Sequence, residues 1–214
     1  MSMPLTDTLL TPRMASLSLC GRILGALFSQ PPDSPTLAPV LALLEDEAFA
    51  AGWPVTHPQI DDIVQRLRLG LRSGDEPLPA AWQRLFIGPW ALPAPPWGSV
   101  WLDRENVLFG ESMLALRQWM TASGIDYAHS EREPCDHIGT LLMLAAWLAE
   151  AGREHDVDQL LAWHLLPWSG RFLEVFIAEA HHPFYVALGE LTRLTLAAWR
   201  SDLPMPVAQK NLWR

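Results

Sequence analysis

Between Trp82 and Trp101 the chain carries four tryptophans and four prolines, in the run Trp-Gln-Arg-Leu-Phe-Ile-Gly-Pro-Trp-Ala-Leu-Pro-Ala-Pro-Pro-Trp-Gly-Ser-Val-Trp. Pro89, Pro93, Pro95 and Pro96 each remove a backbone donor and fix φ, so neither a regular helix nor a central strand can run through the stretch. It is expected as a rigid aromatic loop, with large apolar area and little conformational entropy left to lose. Two readings stay open: a loop folded down on a core, or a surface that grips an extended or helical peptide. Trp82 and Trp90 are the tryptophans expected in the core.

On both sides of this loop apolar residues recur at helical spacing, and strand-like alternation is nearly absent. The fold class is therefore all-α. Helices are predicted over 15–29, 37–50, 58–72, 79–87, 111–123, 134–151, 155–166, 169–180 and 184–200. In the first, Leu17, Cys20, Leu24, Leu27 and Phe28 share a face and Arg22 turns to solvent, which reads as a structural helix rather than a signal peptide. Pro31–Pro35 and Gly74–Pro77 are turns, and Gly124 and Gly152 are helix stops. An apolar loop makes a poor linker, so a single domain over 14–214 is expected, preceded by a flexible extension over 1–13.

The net charge of −9 opposes a nucleic-acid partner and suits a cationic one. No run reaches the ~20 apolar residues of a membrane span, so a soluble, cytoplasmic protein is expected. Cys20 and Cys135 lie in unrelated contexts and are expected as plain buried thiols. G-x-S-x-G, P-loop, G-x-G-x-x-G and H-E-x-x-H patterns are all missing. Asp136, His137 and His164 make a poor metal set, since adjacent Asp-His rarely chelates one ion well. No catalytic residue, metal ligand or cofactor is predicted.

Glu133-Pro-Cys-Asp-His137 precedes the apolar stretch Ile138–Ala149. On one reading Pro134 sits in the first helical turn and Glu133 and Asp136 complement the helix dipole. Ser130-Glu-Arg-Glu133, a capping-box pattern, would start the helix earlier. On the other reading Asp136 and His137 face a ligand. A carboxylate matches a guanidinium in bidentate, charge-assisted geometry, and His137 would hold Asp136 or donate to a peptide carbonyl.

Trp82-Gln-Arg-Leu-Phe-Ile-Gly-Pro, Pro95-Pro-Trp-Gly-Ser-Val, Glu133-Pro-Cys-Asp-His, Ala162-Trp-His-Leu-Leu-Pro-Trp168 and His182-Pro-Phe-Tyr-Val-Ala-Leu-Gly-Glu190 together resemble the TorD/DmsD family, nearest its DmsD branch. The likeness runs from about Leu17 to the C-terminus; the first dozen residues have no counterpart, and a start at Met14 would account for them. The resemblance implies an all-helical chaperone without enzymatic activity. Its expected partner is the twin-arginine signal peptide of a molybdoenzyme catalytic subunit of the dimethyl sulfoxide reductase type, held in the cytoplasm for cofactor insertion before Tat export. It also allows contact with Tat translocase components, at the inner face of the membrane through the client.

The implied signal-peptide-binding residues are Trp82, Leu85, Phe86, Pro96, Trp97, Trp101, Asp103, Glu105, Glu133, Pro134, Asp136 and His137. Two alternatives are a small-molecule or nucleotide-handling enzyme using Asp136 and His137 as an acid–base pair, and a dimerisation subunit burying Trp90, Trp97 and Trp101 against a sister chain.

Overall fold

The structure, a computed structural model, describes residues 10–72, 75–105, 108–126 and 134–214. Glu133 and the Ser130–Glu133 capping pattern lie outside the described residues. Among the described residues eleven α-helices follow in order: α1 (Pro12–Ser29), α2 (Ala38–Glu45), α3 (Phe49–Gly52), α4 (Ile60–Leu71), α5 (Leu78–Trp82), α6 (Gly98–Leu102), α7 (Glu111–Ala122), α8 (Ile138–Glu150), α9 (Glu154–Gln159), α10 (Leu166–Glu179) and α11 (Pro183–Ser201). Among the described residues there is no strand, and no helix is long and apolar enough to cross a membrane.

Several boundaries move for identifiable reasons. Thr11 caps α1 by accepting the Met14 N–H and Pro12 starts the helix, so Pro12, Arg13 and Met14 join it; Arg13 then pairs with Asp158 on α9. The helix predicted over 37–50 breaks at Asp46, whose carboxylate accepts the Ala48 N–H at 2.9 Å. Arg68, on α4, holds the break by donating to the carbonyls of Leu44 and Asp46. The segment predicted over 79–87 starts as α5 and widens into a π-helical turn, Gln83–Ile87. It closes at Gly88, where φ is 107°, a value glycine alone adopts readily. A second π turn, Leu160–Leu165, fuses α9 to α10. There Pro167 cannot continue the backbone ladder, and the Trp168 indole donates to the His164 carbonyl at 2.7 Å.

The helix pair α1 and α8 forms the centre. Glycines let the two backbones touch: a Cβ on Gly21 would lie 2.6 Å from the Leu142 carbonyl oxygen, and one on Gly25 2.9 Å from that of Gly139. The expected inward face of α1 is buried, and Arg22 sits at the rim, paired with Glu150. Around this pair runs an aromatic core in which Phe176 packs against Phe28, Phe86 and Phe172 at 5.4–5.7 Å between centroids. Cys20 and Cys135 are free and buried, and burial pushes their thiols up to about 12 and about 11, away from thiolate chemistry. After α11 the chain returns without helix across the molecule, its Ala208 N–H donating to Ala162 C=O at 2.9 Å and its Trp213 N–H to Trp101 C=O at 2.9 Å.

Candidate functional site

The proline loop and the start of α8 meet as two short antiparallel segments. Ile138 N–H donates to Pro96 C=O at 2.8 Å and Gly98 N–H to Asp136 C=O at 3.1 Å, with Trp97 opposite His137. These pairings need extended backbone, and His137 is extended at ψ 136°. The helix therefore starts at Ile138 rather than Pro134, which lies buried ahead of it. His137 is its N-cap, accepting the Gly139 N–H on Nδ1 at 3.1 Å.

Asp136 does not cap α8. Its Oδ2 accepts the Ser99 N–H at 2.6 Å, serving the first turn of α6 on the facing loop. The residue is 4% exposed, and among the described residues its Oδ1 is buried without a hydrogen-bond partner. A buried acceptor of this kind costs free energy until a donor reaches it. Burial raises the Asp136 pKa, the Ser99 N–H and hydroxyl and its own backbone N–H oppose the rise, and nearby Asp103 adds to it.

Burial pushes the His137 pKa down to about 4. With Nδ1 held by a backbone N–H, the ring is neutral near pH 7 and a poor general base. The folded value lies below the ~6.5 of an unfolded chain, so the unfolded state takes up the proton first as pH falls. Stability from the neutral ring is whole above about pH 6.5, is lost down to about pH 4, and amounts to about 3 kcal/mol at most. His137→Asn keeps a capping acceptor and removes the titration. Its urea midpoint is expected to fall less between pH 7 and pH 4.5 than that of the unaltered chain; equal falls would contradict this role.

The structure separates the expected aromatic residues. Trp101, Leu85 and Phe86 are core: Trp101 is 0% exposed, donates to Pro95 C=O at 2.8 Å and meets Phe172 nearly perpendicular with 6.1 Å between ring centroids. It therefore has no surface for a sister chain. Trp90, expected inside, is 85% exposed, because the turn at Gly88 carries the chain outward. Trp82 is half-buried against Phe86, with its Nε1 buried and unpartnered. Trp97 is half-buried beside His137, 5.7 Å between centroids. Pro96 is buried, with its carbonyl on Ile138.

Asp103 is buried and accepts the Ser112 N–H at 3.1 Å and its hydroxyl at 2.8 Å, capping α7. Glu105 is exposed. A cleft of about 480 Å³ opens beside the α8 start, lined by Ser29, Gln30, Thr140, Met143 and Trp147 among others. Sequence reasoning missed this cleft, the capping of Ser99 and Ser112 by Asp136 and Asp103, and the returning tail. The α8 face Thr140, Met143, Trp147 could have signalled the first, being spaced for one side of a helix.

The arrangement is a buried carboxylate with one oxygen unpartnered among the described residues, near the half-buried Trp97, with a cleft of mixed polar and apolar lining along α8.

Known proteins share the family and the fold of this chain. A family profile described as nitrate reductase delta subunit matches residues 46–174. The Tat proofreading chaperone DmsD of Salmonella paratyphi A is 55% identical over 197 residues, spanning 92% of this chain and 95% of that protein. Chaperone protein YcdY of Escherichia coli is 32% identical, spanning 89% and 97%. A solved structure described as a candidate redox enzyme maturation protein from Archaeoglobus fulgidus superposes with a TM-score of 0.53 at 18% identity, covering 92% of this chain and 98% of that one, and so shares the fold.

Proposed function

The chain belongs to the nitrate reductase delta subunit family, and on that premise we propose that it is a cytoplasmic maturation chaperone of the Tat proofreading kind. It binds the twin-arginine signal peptide of a dimethyl sulfoxide reductase-like molybdoenzyme subunit and holds it until the cofactor is inserted. Contact with Tat translocase components follows through the client. No catalytic role is assigned to Asp136 and His137: Asp136 Oδ2 holds the Ser99 N–H and His137 Nδ1 holds the Gly139 N–H.

The observation that carries the reading is the buried Oδ1 of Asp136, unpartnered among the described residues. A guanidinium would supply the missing donors and a compensating charge together, which a neutral ligand cannot do. Because this oxygen is buried, the ligand must open the contact between the loop and the α8 start. The cleft along α8 and the half-buried Trp82 and Trp97 are the surfaces offered to the apolar stretch that follows the arginines; Asp103 and Glu105 add negative charge. Glu133 belongs to the same proposed set by sequence.

Purification of the tagged chain from cells making the reductase, with bound proteins identified by mass, tests the reading. A precursor that keeps its leader is the expected companion. Recovery of the reductase only without its leader would refute leader recognition.

A further inference from the structure

Adjacent arginines in an extended peptide project to opposite sides of the backbone. The single buried carboxylate of Asp136 can therefore receive only one of them. The chain's own tail marks a second receptor. Trp213 N–H on Trp101 C=O brings Arg214 onto the proline loop, where its Nη2 donates to the carbonyls of Leu92 at 3.1 Å and Pro93 at 3.3 Å. The same guanidinium lies 5.8 Å from the centroid of the Trp101 ring. In a stretch interrupted by Pro93, Pro95 and Pro96, regular pairing is broken and carbonyls are left for outside donors. A planar guanidinium that reaches two acceptors and stacks on an aromatic face suits such a place better than an ammonium.

Leu203 and Val207 anchor the tail on the core, and its last residue is held by surface contacts, including Arg171 Nε on Arg214 C=O at 3.4 Å. Leu212, Trp213 and Arg214 are exposed, and the Arg104 guanidinium covers one face of Trp213 at 5.8 Å. Segments with few buried contacts and solvent-facing hydrogen bonds open at low free-energy cost.

Resting on the reading of the chain as a leader-binding chaperone, we propose that the Leu92 and Pro93 carbonyls with the Trp101 ring form a second arginine subsite, filled at rest by Arg214 and taken over by an arginine of the leader. The tail is then a built-in competitor that weakens binding of peptides unable to displace it.

Calorimetry of a synthetic twin-arginine leader peptide against the full chain and its Arg214→Ala and Asp136→Asn variants tests this. Arg214→Ala is expected to bind the peptide roughly three- to tenfold more tightly, with an unchanged melting temperature. Unchanged affinity would overturn the shared subsite, and weaker affinity would make the tail a support for the loop instead. If the full chain binds and Asp136→Asn loses the peptide while Arg214→Ala changes nothing, this inference alone fails. If neither the full chain nor Arg214→Ala binds the peptide, the chaperone reading fails with it.

Discussion

Asp136→Asn is expected to weaken binding of a synthetic twin-arginine leader peptide at least about thirtyfold, corresponding to ~2 kcal/mol or more, while the urea midpoint stays level or rises. The two halves of this result come from one geometry. Asparagine keeps an oxygen for the Ser99 N–H but removes the charge a buried guanidinium needs. The folded pKa of Asp136 is raised, so the folded state holds the proton longer than the unfolded chain does. Its contribution to stability is greatest at low pH and is lost as pH rises through the folded value, which makes the carboxylate a cost near neutrality. Asparagine relieves that cost. Because the arginine partner needs the ionised form, affinity of the unaltered chain should rise with pH through the same transition and then level, while the variant stays flat. A lower midpoint with unchanged affinity would instead reduce Asp136 to a clasp between the loop and α6.

Trp101→Ala is expected to cost about 3–5 kcal/mol of stability, and Trp90→Ala no more than about 0.5 kcal/mol. Trp101 fills the core and its indole donates to Pro95 C=O, so its loss leaves a cavity and an unmet loop carbonyl, while the main-chain bond from Trp213 N–H to residue 101 is retained. Trp90 makes no comparable contact, being 85% exposed. Equal losses on urea denaturation would mean that the loop does not lean on the core as described.

These two tryptophans also show where the sequence stops being legible. The prolines announce that the loop is irregular, because donor loss and fixed φ are local properties. Which tryptophan turns inward depends on the positive φ at Gly88 and on Phe172, about seventy residues further on, which the local pattern does not carry. The same holds at α8. Its apolar length and the Asp136-His137 pair at its mouth are readable, but the start at Ile138 is decided by pairing with Pro96 and Gly98. Local propensity favoured Pro134 and lost to that long-range pairing. The break after α2 has a similar cause, since Arg68 on a later helix takes the carbonyls of Leu44 and Asp46. The candidate carboxylate was thus visible in the sequence, while its attachment to Ser99 and its unmet oxygen were not.

The most direct test of guanidinium recognition is calorimetry of the full chain with two synthetic leader peptides, one bearing both arginines and one bearing lysines in their place. Charge and apolar length are then equal, and only the planar donor fork differs. The arginine peptide is expected to bind at least about tenfold more tightly, a difference of ~1.4 kcal/mol. Equal affinity for the two would contradict an arginine site at Asp136.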